Sequence, residues 1–167
     1  MNKTGVIYGI NGPVIYLKGN TGFEMSEMVY VGRERLVGEV IALTQDTTTV
    51  QVFEETTGLK PGEIVEASGD AISVLLAPGI LNNIFDGIER PLSEIAAKSG
   101  KYISRGLSVD SLDTERLWDV HITIKAGDKV SGGNVIAETQ ETPAILHKSM
   151  VPPNLSGTIL KAAPDGK

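Results

Sequence analysis

Short runs of β-forming residues, separated by turn-forming residues, fill the first 77 positions of this chain. Residues 6–8 and 14–17 are two such runs, and Asn11-Gly12-Pro13 between them is typical of a tight turn. Five further runs follow at intervals of about ten residues: 28–31, 36–43, 49–53, 64–65 and 72–76. Seven short strands at this spacing predict a small closed β-barrel, because closure leaves no unpaired sheet edge.

The pattern changes at Ala77-Pro78-Gly79. Residues 80–85 carry apolar side chains at helical spacing, which predicts about two turns of helix. Residues 92–98 form a second predicted helix. The residues that mark its start, first turn, last turn and end are typical of a helix: Pro91, Glu94, Lys98 and Gly100. This segment is interpreted as a connector between the barrel and the rest of the chain.

A second β-rich region begins at Ser108. Residues 118–124 alternate between apolar and polar side chains, which predicts a half-buried strand, and residues 125–134 are rich in turn formers. Three more strands are predicted, over 135–138, 144–147 and 157–161. Asp165-Gly166 is a typical hairpin turn, yet only Lys167 follows it. We therefore expect the chain to be cut within a fold.

The net charge of −6 arises entirely in the first part of the chain. Residues 1–91 carry six Lys and Arg against twelve Asp and Glu, whereas residues 92–167 carry nine of each. Binding to nucleic-acid phosphates needs clustered Lys and Arg, so we expect an acidic, solvated surface and no nucleic-acid partner. An OB-like nucleic-acid module in residues 1–77 is kept as an alternative hypothesis, which binding to single strands would support.

Several kinds of chemistry are missing from the sequence. The chain has no cysteine, which excludes disulfides, zinc-thiolate sites and thiol nucleophiles. The phosphate-binding G-x-x-x-x-G-K-[ST] loop is absent, because neither Gly100-Lys101 nor Gly166-Lys167 has a glycine five residues before its own glycine. No long apolar stretch or signal-peptide core is present, and we expect a cytoplasmic chain. The sequence thus predicts no catalytic, cofactor-binding or metal-binding residue.

Isolated polar and aromatic residues receive structural interpretations. His121 and His147 lie 26 residues apart, which argues against a multi-histidine metal site. We expect His121 to occupy a strand with a local hydrogen bond and His147 to be exposed. The acid-rich stretch from Asp110 to Asp119 lacks the spacing of a calcium loop and is interpreted as solvated. Trp118 is interpreted as a local core anchor.

Residues 127–138 resemble the half-barrel of biotinyl and lipoyl carrier domains. These domains present a modifiable lysine on a hairpin, and Lys148 is the candidate in this sequence. Lys148 lies ten residues after Glu138, further than the family's hairpin allows, and His147 and Ser149 are not the usual neighbours. A similar sandwich shape without carrier function is therefore favoured, with a carrier modified at Lys148 as the alternative.

Motifs along almost the whole chain carry a broader resemblance. The most specific are Glu54-Glu55-Thr56-Thr57-Gly58-Leu59 and the run Phe85-Asp86-Gly87-Ile88-Glu89-Arg90-Pro91-Leu92. The others lie at 12–14, 31–41, 51–53, 60–62, 76–81, 130–133 and 150–157. In these motifs and their order, the chain resembles the N-terminal part of the catalytic A (alpha) subunit of V-type and archaeal A-type rotary ATPases.

The resemblance implies a mainly β fold in three parts. Residues 1–77 would be a crown barrel, 78–109 a connector with the first part of the nucleotide-binding domain, and 110–167 an incomplete bulge domain. It also implies B subunits as partners in an alternating ring of three A and three B subunits, with the bulge near the peripheral stalk. The location implied is the soluble sector of a proton- or sodium-translocating complex, without insertion into the membrane.

The resemblance places the chemistry elsewhere in the full-length protein. In the family, the phosphate loop, the catalytic glutamate and the Mg²⁺ ligands follow the part that this sequence resembles. ATP and Mg²⁺ would therefore bind the full-length protein, and no cofactor is expected in this chain.

Overall fold

The computed structural model describes residues 3–19 and 22–167. The chain is mainly β and divides into two compact units. Unit 1 comprises Met1–Val74 and Asp86–Val109, and unit 2 comprises Leu75–Phe85 and Asp110–Lys167.

Six antiparallel strands of unit 1 close into a barrel. They are β1 (Thr4–Asn11), β2 (Val14–Lys18), β3 (Glu27–Val31), β4 (Leu36–Leu43), β5 (Thr47–Val52) and β6 (Ile64–Ala71). Their order around the barrel is β1-β2-β5-β4-β3-β6, and β6 pairs with β1 to close it. The predicted closed barrel is confirmed, and Gly12 in the β1–β2 turn adopts a φ of 57°.

The predicted seventh strand, residues 72–76, is wrong. This segment has no strand structure, and Leu75 and Leu76 are exposed. Pairing of Val6 with Ile64 and of Thr4 with Glu66 already joins β1 to β6, so the barrel offers no free edge to a further strand.

Alternating residues of the six strands fill the barrel interior. The buried side chains are Ile7, Ile15, Leu17, Phe23, Val29, Val31, Leu36, Val40, Val50, Val52 and Val65. Gly38 of β4 allows a close approach to β5, because an added Cβ would lie 2.8 Å from the Gln51 carbonyl oxygen. The β4 bulge itself lies between Val40 and Ala42 rather than at Gly38.

The predictions for the two helices differ in outcome. The helix α1 (Leu92–Ser99) follows Pro91 and ends at Gly100, and it buries Ile95, so this prediction is confirmed. Residues 80–85 form turns instead of a helix. Asn82 adopts a φ of 67°, which a right-handed helix excludes, and two isolated turns are too short to be stable alone.

Unit 2 contains two small antiparallel sheets. Its strands are β7 (Val120–Ile122), β8 (Lys129–Ser131), β9 (Val135–Thr142), β10 (Ile145–Met150) and β11 (Ser156–Thr158). One sheet has the order β10-β9-β7, and the other pairs β11 with β8. The predicted strand over 118–124 is thus shorter than expected, and the turn-rich stretch 125–134 contains β8.

The ends of the predicted strands in unit 2 also differ from the structure. β9 extends to Thr142, and β11 ends at Thr158 although a strand was predicted to residue 161. Asp165-Gly166 does not form the predicted hairpin turn, because Gly166 makes an antiparallel bridge with Val120.

Candidate functional site

A buried arginine with two carboxylates is the main polar cluster of unit 1. Arg90 Nε lies 2.8 Å from Asp86 Oδ2, and Arg90 Nη1 lies 3.5 Å from Glu54 Oε2. The same Nη1 donates to the Leu107 carbonyl oxygen at 3.1 Å. The three side chains are only 6–15% exposed, so each charge depends on its partners within the cluster.

Asp86 also organises the turn that leads to Arg90. Its Oδ1 accepts the backbone N–H groups of Ile88 and Arg90 at 3.1 Å and 2.9 Å. Burial acts to raise the pKa of Asp86, but these N–H groups and the Arg90 guanidinium outweigh it, so the pKa lies below its ordinary value. Asp86 therefore stays ionised beside Arg90.

The cluster joins the two motifs that carry the strongest resemblance. Glu54, from the loop after β5, accepts the Gly106 N–H at 2.9 Å in addition to contacting Arg90. Arg105 donates from Nε to Glu34 Oε2 at 2.9 Å. The segment from Asp86 to Leu107 is thereby fixed to the loops of the barrel within unit 1.

A cleft of about 410 Å³ lies beside this cluster, lined in part by Phe53, Glu55 and Ile103. Arg90 directs its donors to Asp86, Glu54 and a backbone carbonyl. With two carboxylates beside one guanidinium, the cluster is suited to holding two chain segments together and unsuited to binding an anion.

Unit 2 contains a histidine–aspartate pair. His121 Nδ1 lies 2.7 Å from Asp165 Oδ2, and Asp165 Oδ1 accepts the Ile122 N–H at 2.7 Å. The predicted strand position and local hydrogen bond of His121 are confirmed. His147, predicted to be exposed, is half-buried in β10, opposite Thr139 of β9.

Lys148, the residue of the carrier hypothesis, does not lie in a hairpin turn. It is within β10, directly opposite Glu138 of β9, and the β9–β10 turn lies at Pro143-Ala144. A lysine in the middle of a paired strand is not displayed to a modifying enzyme as a hairpin lysine would be. The carrier alternative is therefore not favoured.

Glu141 has a role that sequence reasoning missed. Its Oε1 accepts the N–H groups of Gly79 and Leu81, at 2.8 Å and 3.1 Å, and so fixes the 79–81 turn to β9. Trp118 lies against Gly79, and the Arg116 guanidinium stacks 3.9 Å from the Trp118 ring centroid. Glu141 and Gly79 are 62 residues apart in sequence, and no local pattern signals their contact.

The remaining polar residues form no metal site in the part of the chain that the structure describes. Asp110, Asp113, Glu115 and Asp119 are exposed, as predicted for a solvated stretch. Across residues 3–19 and 22–167, no group of three or more His, Asp or Glu side chains is arranged to hold a metal ion. The same residues contain no helix of the length and apolar character needed to cross a membrane.

Comparison with known proteins gives two domain matches in chain order. Residues 7–69 match the β-barrel domain of the ATP synthase alpha/beta family. Residues 109–167 match the ATP synthase alpha/beta subunit barrel-sandwich domain. The two matches fall on the barrel of unit 1 and on the sheets of unit 2.

Individual relatives match along nearly the whole chain. The V-type ATP synthase alpha chain of Halothermothrix orenii is 51% identical over 167 residues, which is 100% of this chain and 28% of the relative. The corresponding A-type ATP synthase chain of Methanosphaera stadtmanae is 51% identical over 164 residues, which is 98% of this chain and 28% of the relative. The chain thus spans little more than a quarter of the length of these relatives.

Proposed function

The chain belongs to the ATP synthase alpha/beta family, and we propose that it serves as an assembly region of a V/A-type catalytic A chain. The observation that carries this proposal is the 51% identity to an alpha chain over all 167 residues, in a sequence that lacks a phosphate loop. The β-barrel and the two small sheets supply surfaces for contacts between chains. ATP hydrolysis or synthesis, with Mg²⁺, would belong to the full-length protein.

The proposal assigns a role to each of three segments. Residues 1–77 form the barrel that meets B subunits in the alternating ring, and residues 110–167 form the bulge that faces the peripheral stalk. Residues 78–109 connect the two and begin the nucleotide-binding domain. The Arg90 cluster supports a mechanical role within unit 1, because it fixes the segment from Asp86 to Leu107 to the barrel loops.

The location follows from the same family assignment. We place the chain in the soluble, cytoplasmic sector of an ion-translocating complex, peripheral to the membrane. The coupled ion would be a proton or a sodium ion.

Two measurements on the purified 167-residue chain test this role. ATP hydrolysis is measured beside a mock preparation, and binding to a V/A-type B subunit is measured by analytical ultracentrifugation. We expect no hydrolysis above the mock preparation and a complex with the B subunit. Hydrolysis that increases with chain concentration, or the absence of a complex at high micromolar concentrations, would contradict the proposal.

The carrier alternative has its own test. The chain and its Lys148→Arg variant are each co-expressed with a biotin or lipoate ligase, and their intact masses are measured. We expect both proteins unmodified. A mass increase in the parent chain that the variant lacks would restore the carrier hypothesis.

A further inference from the structure

The segment containing Asp165 and Gly166 lies along the outer edge of β7. Val120 N–H donates to the Gly166 carbonyl oxygen at 2.8 Å, and Gly166 N–H donates back to the Val120 carbonyl oxygen at 3.2 Å. One residue further along this antiparallel register, Asp165 stands opposite His121. Its two carboxylate oxygens contact the His121 ring and the Ile122 N–H. We call residues 164–167 the edge strap.

His121 stands in a transverse row of charged residues. It is paired directly with Glu138 of β9, and Glu138 is paired directly with Lys148 of β10. Residues directly opposite on neighbouring strands project from the same face of a sheet. Starting from the edge strap, the row therefore reads Asp165, His121, Glu138 and Lys148. Its charges alternate in sign only when the His121 ring is protonated.

We propose that His121 makes the edge strap of unit 2 pH-sensitive. The protonated imidazole holds Asp165 and closes the edge of β7, whereas the neutral imidazole lets the strap open. The proton comes from solvent, because the His121 and Asp165 side chains are 67% and 58% exposed. The neutral ring can still donate one hydrogen bond to Asp165, but it no longer carries the charge that joins the row.

The surrounding groups agree in direction. The hydrogen bond to Asp165, the charge of Asp165 and the charge of Glu138 together raise the pKa of His121 above its ordinary value of 6.5. Lys148 faces Glu138 from β10, and Lys167 Nζ lies 3.8 Å from Asp119 Oδ1 near the same edge. The strap is therefore fully held below pH 6.5 and is released as the pH rises through the higher pKa of the folded state.

Amide hydrogen exchange by NMR, together with a titration of the histidine ring signals, tests the strap. The amides of Val120, Ile122 and Gly166 report its closure, while those of Gly133 and Val151, which bond elsewhere in unit 2, serve as references. After correction for intrinsic exchange, we expect strap protection to fall about two- to five-fold between about pH 5.5 and about pH 8.5, as for an exposed ion pair. The reference amides should not change.

Three variants separate the histidine from other causes. In His121→Gln, we expect low strap protection at both pH values, and in Glu138→Gln we expect the midpoint to move to lower pH. His147→Gln is the matched control and should keep the parent response. The proposal is overturned if His121→Gln retains the pH response, if His121 titrates at or below its ordinary pKa of 6.5, or if the reference amides change in parallel with the strap.

Discussion

At the scale of single residues, the Arg90 cluster contains the most closely coupled charges of unit 1. One guanidinium contacts two carboxylates and a carbonyl oxygen, and those carboxylates also accept three backbone N–H groups. Removing one buried charge therefore leaves several groups without a partner. The cost exceeds that of any one contact, because the remaining charges cannot be solvated in place.

Replacing Arg90 with methionine should strongly destabilise unit 1. Glu54 and Asp86 would face each other without a counter-charge, and we expect a loss of about 3–5 kcal/mol in the free energy of unfolding, as for a broken buried ion pair. Urea unfolding followed by circular dichroism measures the loss. Arg33→Gln, at an exposed position, should change stability by about 0.5 kcal/mol or less. Equal effects of the two variants would contradict the central role of Arg90.

Asp86 should make unit 1 acid-sensitive. Its pKa is lowered from 3.8 in the folded state, so its stabilising contribution is present above pH 3.8 and is lost as the pH falls through the lower, folded-state value. We expect the urea midpoint to decrease between about pH 5 and about pH 2.5, and to decrease less in Asp86→Asn. Asp46→Asn, at an exposed turn, should keep the parent pH profile. A parent-like profile in Asp86→Asn would refute this prediction.

At the scale of elements, the pairing of β4 with β5 depends on the absence of a side chain at Gly38. A Cβ there would lie 2.8 Å from the Gln51 carbonyl oxygen and 3.0 Å from Val50 Cγ1. We expect Gly38→Ala to destabilise the barrel by about 1–3 kcal/mol, through backbone displacement, in a urea titration. Gly87→Ala, which meets no atom within 4 Å, should have a much smaller effect. A neutral Gly38→Ala variant would show that the strands separate without cost.

The elements also show which sequence signals were informative. Strand positions in the barrel followed from alternation and turn residues, and α1 followed from its end signals. Residues 72–76 have the composition of a strand, but strand formation depends on a free partner edge, which closure of the barrel removes. The contact of Glu141 with Gly79 and the Arg90 cluster needed the tertiary structure, because their partners are distant in sequence.

At the scale of the whole molecule, the two units differ in the size of their apolar cores. Eleven apolar side chains form the buried cluster of the barrel. In unit 2, the buried apolar residues within the described chain are Ala137 and Val151. Since burial of apolar area supplies most of the stabilising free energy, unit 1 should be the more stable unit. The motifs could predict two β-rich regions but not this difference, because both have similar apolar runs in the sequence.

The single tryptophan allows this difference to be measured. Trp118 is the chain's only tryptophan and lies in unit 2, whereas most strand residues lie in unit 1. We expect the tryptophan fluorescence midpoint in urea to precede the main circular dichroism transition, because the smaller core of unit 2 unfolds first. In Arg90→Met, the circular dichroism transition should move to lower urea while the fluorescence midpoint stays within error. Coincident transitions in the parent chain would show instead that the two units unfold as one cooperative body.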